Sequence, residues 1–151
     1  SSHMRAINEV KKAGSIENLI RQGNLNKGIM HTLHQYHIPY VLCGSIRDDG
    51  PLPETITDAV SSQRAMRKHT CKATMVVMVA TGLHSIAVGN MLPTYYTDSK
   101  GDLGEITTLC VDQTEFLVSK LKDRGTHQAF GVVTNAQDFM RLLQLELLTR
   151  L

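Results

Sequence analysis

Arg47, Asp48 and Asp49 stand side by side in the loop Gly44-Ser45-Ile46-Arg47-Asp48-Asp49-Gly50-Pro51-Leu52-Pro53. This loop directly follows the apolar run Ile38-Pro39-Tyr40-Val41-Leu42-Cys43. A chain reversal needs Gly and Pro; it does not need three adjacent charges at the end of a buried strand. In open α/β sheets, ligands bind outside the carboxyl ends of the strands. The loop is therefore the first candidate for holding a polar ligand. The same residues also make an ordinary turn, since Asp, Gly and Pro each have turn uses.

Three further segments carry polar groups at the ends of apolar runs: Ala80–Ser85, Asp112 and Thr134-Asn135. A helix opening near Gly82 offers unpaired N–H groups to a phosphate. A carboxylate at a strand end, as at Asp112, accepts hydrogen bonds from ribose hydroxyls. Together these describe a nucleotide or dinucleotide site, with Gly44, Ser45, Thr81, Ser85, Asn90 and Asp112 as its cofactor-binding candidates. The fingerprint G-x-G-x-x-G is absent, so an ordinary Rossmann first turn is not visible. Plainer roles stay open. Asp112 also suits a helix cap, Asn90 a helix end, and His84 a structural hydrogen bond as well as proton exchange near neutral pH. Arg47 with Asp48 and Asp49 also suits a solvated surface cluster. His31 and His34 lie three apart without a completing Cys or carboxylate, so no metal is expected. Ser45 and Ser85 lack the G-x-S-x-G elbow of a hydrolase.

The elements that must position these residues follow from apolar periodicity and capping signals. Helices are expected over Arg5–Ala13, Ile16–Gln22 and Asn26–Tyr36, punctuated by Gly14 and Gly23. Tyr40–Cys43 reads as a strand, and Glu54–His69 as a helix entered at Pro53. Thr74–Ala80 is apolar without alternation, which suits a strand buried on both faces. Gly82–Met91 reads as a helix, and Thr94–Glu105 as an exposed polar loop. Ile106–Val111 is the next strand. Asp112-Gln113-Thr114-Glu115 resembles a capping box opening a helix to about Arg124. Ala129–Val133 is a fourth strand, and Asn135 caps a final helix to about Leu148. The alternation predicts an α/β fold: a Rossmann-like, doubly wound parallel sheet of about four strands with helices on both faces.

Length and composition set outer limits. The 151 residues suit one domain over 5–151, with Ser1-Ser2-His3-Met4 resembling the remnant of an expression tag. A formal net charge of +2 gives no argument for nucleic acid or an anionic membrane surface. Trp is absent and aromatics are few, which disfavours base-stacking platforms. Cys43, Cys71 and Cys110 make an odd count without C-x-x-C spacing, consistent with a reducing, cytoplasmic setting. A sheet this small, entered through helices where another βα unit is expected, predicts self-association or membership of a larger α/β domain.

The segment Ile38–Asp58 closely resembles part of the LOR/SDH-region family. So do Arg5-Ala6-Ile7-Asn8, Leu83-His84-Ser85-Ile86-Ala87-Val88-Gly89-Asn90-Met91-Leu92-Pro93, and Cys110-Val111-Asp112 followed by Lys120–Gly125. That family includes archaeal ornithine cyclodeaminases and the C-terminal part of cyanobacterial arginine dihydrolase/ornithine cyclodeaminases. The resemblance implies a nucleotide-binding domain of the deoxyhypusine-synthase type that holds NAD, and a cytoplasmic, homo-oligomeric lyase of arginine metabolism and proline biosynthesis. The implied reaction turns ornithine, or an ornithine-like amino acid, into proline with release of ammonia. NAD carries the redox step, while the protein supplies orientation and proton transfer. On this reading Arg47, Asp48, Asp49 and His84 are the catalytic candidates. Arg47 meets phosphate or substrate carboxylate, Asp48 or Asp49 a substrate amine or ribose, and His84 relays protons. Three departures from the family pattern stand out. The N-terminal region and the Gly-rich first part of the nucleotide domain are not present in this sequence, so the chain corresponds to a C-terminal portion that is not expected to act alone. Tyr95–Glu105 reads as an insertion, and Gln113-Thr114-Glu115 replaces an Asn-Pro turn. The rival readings are a non-catalytic nucleotide-binding or oligomerisation module, and a linker domain in a lysine-degrading bifunctional protein.

Overall fold

The computed structural model describes residues 2–44, 50, 52–79, 82–116, 119–120 and 128–150. They divide into two compact units, Ser1–Met66 and Arg67–Leu151.

The first unit is built on short helices, α1 (Ser2–Ala13), α2 (Ile16–Arg21) and α3 (Ile29–Gln35). The Ser15 Oγ accepts the Asn18 N–H at 3.0 Å, which caps α2 as the sequence predicts. Val10, Ile16 and Leu19 are buried, and Ala13, Ile20, Leu25, Met30, Leu42 and Leu52 pack around them. The expected strand over residues 40–43 is reduced to one parallel bridge, Cys43 to Ile56. Two hydrogen bonds flank it, Gly44 N–H to the Ile56 carbonyl at 2.8 Å and Ile56 N–H to the Leu42 carbonyl at 2.9 Å. The apolar run fits a strand, but Leu42 packs against helices, and its hydrophobic demand is met there.

Helix α4 (Ala59–Thr70) starts five residues later than the sequence suggests. Thr55-Ile56-Thr57 is β-branched and enters the bridge rather than a helix. Asp58 then supplies the start, its Oδ2 accepting the Ser61 N–H at 2.7 Å. Gly50 has φ +88, and a Cβ there would lie 2.6 Å from the Thr55 methyl. Both facts require glycine at that turn.

The second unit carries a parallel sheet of three strands in the order β1 (Met75–Val79), β4 (Thr107–Asp112), β5 (Gln128–Val133). Met78 pairs with Cys110, and Cys110 in turn with Gly131. Helix α5 (Gly82–Gly89) follows β1 and covers the Val76, Met78 and Cys110 face through Ile86, Val88 and nearby Leu92. The other face of β1 is exposed at Met75, Val77 and Val79, where the apolar run predicts burial on both sides. Among the described residues β1 pairs only with β4, so it stands at the edge of the sheet. Helix α6 (Ala136–Arg150) touches β4, while Met140, Leu142, Leu145, Leu147 and Leu148 stay exposed.

The expected loop at 94–105 is an antiparallel hairpin, β2 (Tyr95–Thr97) with β3 (Leu103–Glu105). Its turn is set by Asp98, whose Oδ1 accepts the N–H groups of Lys100 and Asp102 at 2.8 and 2.9 Å. Gly104 is required opposite Tyr96, because a Cβ there would approach the Tyr96 ring to 2.4 Å. Polar composition concealed a hairpin whose pairing rests on backbone and one aromatic ring. Among the described residues, no helix is long and apolar enough to cross a membrane.

Candidate functional site

Parallel pairing brings Val79, Val111 and Val132 level with one another, so the carboxyl ends of β1, β4 and β5 share one rim of the sheet. Three groups from the second unit meet this rim: the first turn of α5, Asp112 at the end of β4, and Asn135 after β5. At the first of these, Gly82 is buried and carries no side chain. Ser85 is buried, and its hydroxyl lies near enough to the Cys110 thiol to favour the thiolate. Burial pushes that thiol's pKa up, the Asp112 carboxylate pushes it further, and Ser85 opposes both. The Ser85–Cys110 contact thereby ties the start of α5 to the carboxyl half of β4.

Asp112 is half-buried. Its Oδ1 accepts the Thr114 N–H at 2.9 Å and the Thr114 hydroxyl at 3.0 Å, while its carbonyl accepts the Thr134 N–H at 2.9 Å. The bond reaches Thr114 rather than Glu115, so the turn replaces the expected capping box. Both side-chain bonds use Oδ1; among the described residues none reaches Oδ2. Asn135 caps α6, its Oδ1 accepting the Gln137 N–H at 2.8 Å. His84 is half-buried in the same turn of α5 as Ser85.

The structure therefore gathers His84, Ser85 and Asp112 on one rim. Asn90 lies beyond Gly89, about 12 Å from Gly82 along α5 at 1.5 Å per residue, and is exposed. Gly44 belongs to the first unit, where its N–H is spent on the Ile56 carbonyl. Ser45, Arg47, Asp48, Asp49 and Thr81 lie outside the described residues. Among the described residues, no three His, Cys, Asp or Glu side chains gather as a metal site. Sequence reasoning missed the Ser85–Cys110 contact, since Cys110 reads as a small core hydrophobe. It also missed Glu54, read as a helix residue, whose Oε2 instead accepts the Ile16 N–H at 2.8 Å.

Residues 1–143 match the family model described as arginine dihydrolase ArgZ-like, C-terminal, Rossmann fold. The ornithine cyclodeaminase of Methanocaldococcus jannaschii is 48% identical over 147 residues, spanning 97% of this chain and 32% of that protein. The bifunctional arginine dihydrolase/ornithine cyclodeaminase AgrE of Nostoc is 40% identical over 149 residues, 97% of this chain and 20% of that protein. The crystal structure of AgrE in a ternary complex with ornithine and NAD+ superposes with a TM-score of 0.84 at 39% identity, over 99% of this chain and 20% of that one. A LOR/SDH protein from Methanococcus maripaludis superposes with the same score at 46% identity, over 96% of this chain and 40% of that one. The chain thus spans about a third of the archaeal relatives and a fifth of the cyanobacterial one.

Proposed function

The chain belongs to the family of C-terminal Rossmann-fold domains of ArgZ-like arginine dihydrolases, and from that premise we propose that it binds NAD for an ornithine-cyclodeaminase reaction. The observation that carries this reading is the sheet rim, where α5 opens at buried Gly82 beside Asp112. The residues fit a dinucleotide. The first-turn N–H groups of α5 suit a phosphate, and the Asp112 carboxylate suits a ribose hydroxyl. Bound NAD would supply the hydride chemistry.

Roles for the chain's own residues follow from their chemistry. Asp112 holds a ribose, and Ser85 keeps the α5 turn seated on β4 through Cys110. His84 exchanges protons near the substrate amines. Arg47 grips an anionic group with two parallel bonds, and Asp48 or Asp49 receives an ammonium. Gly44, Ser45, Thr81 and Asn90 complete the proposed set of cofactor contacts. Because the chain spans a third or less of these relatives, we expect it to bind ligands without completing catalysis by itself. Self-association belongs to the proposal, supported by the exposed apolar face of β1 and the exposed leucines of α6.

Isothermal titration tests the reading, with NAD+ and ornithine added separately and together. Saturable NAD+ binding that tightens with ornithine supports it. Absence of any NAD+ heat at millimolar concentration, with the chain folded, overturns it.

A further inference from the structure

We draw no further inference here: the strongest candidate, the exposed leucine patch on the carboxyl-terminal half of α6 formed by Leu142, Leu143, Leu145, Leu147 and Leu148, carries nothing beyond the self-association already proposed, because nothing in the structure shows what covers it.

Discussion

Met75 and Met78 sit on the same strand three residues apart and point to opposite faces of the sheet. Met78 is 6% exposed beneath α5, whereas Met75 is 60% exposed. Truncating each to Ala removes the same atoms, so any difference reports the packing of the faces. Loss of the buried Met78 atoms forfeits about 2.4 kcal/mol at roughly 0.8 kcal/mol per buried methylene-sized group. The cavity left under Ile86 and Leu92 adds to this, and the total should fall near 3 kcal/mol, within the 2–5 kcal/mol of buried Met→Ala changes. Met75 starts more than half in water and leaves no cavity, so its loss should cost below about 1 kcal/mol. Urea denaturation at several protein concentrations measures both values and separates folding from association. A Met75→Ala cost equal to or above that of Met78→Ala would refute the assignment of α5 to the Met78 face. The consequence reaches the site, because the same packing seats the α5 turn that carries His84 and Ser85.

Gly104→Ala should displace the Tyr96 ring and cost about 1 kcal/mol, yet be nearly neutral in a Tyr96→Ala background; thermal melts of the four proteins test the coupling. Asp58 has its carboxyl pKa lowered from 3.8 by hydrogen bonds from the Ser61 hydroxyl and N–H. Its stabilising effect is therefore complete above the unfolded value and lost as pH falls through the lower folded one. Asp58→Asn should flatten the acid limb of the stability curve, and an unchanged limb would count against the cap. Ser85→Ala removes the hydroxyl that holds the Cys110 thiol down, so in a chain lacking Cys43 and Cys71 the thiolate absorbance should appear at higher pH. Arg47→Ala should weaken ligand binding by about 1.5–3 kcal/mol if the guanidinium makes a charge-assisted contact, measured by titration calorimetry.

The parallel sheet was legible because Met75–Val79, Thr107–Asp112 and Gln128–Val133 are apolar runs separated by capped segments. The pattern at residues 40–43 was equally apolar, but periodicity does not say whether a strand's neighbours are strands or helices. Helix α4 was misplaced because Pro53 is a permissive entry signal, whereas the β-branched Thr55-Ile56-Thr57 and the Asp58 cap are the stronger constraint. The hairpin was hidden because Asp98, Gly101 and Gly104 read locally as loop chemistry, and its partner strands are only three residues each. For the site, strand-end logic picked out Asp112 and the α5 turn. Ser85–Cys110 is a tertiary contact across 25 residues, with no local signature.

The most direct test of the account is where NAD+ touches the folded chain. Amide NMR shifts should move with NAD+ at Gly82, His84, Ser85, Asp112 and Thr114, and Asp112→Ala should abolish their saturation at the same concentrations. Shifts confined to the 95–105 hairpin or to α6, or saturation untouched by Asp112→Ala, would contradict it.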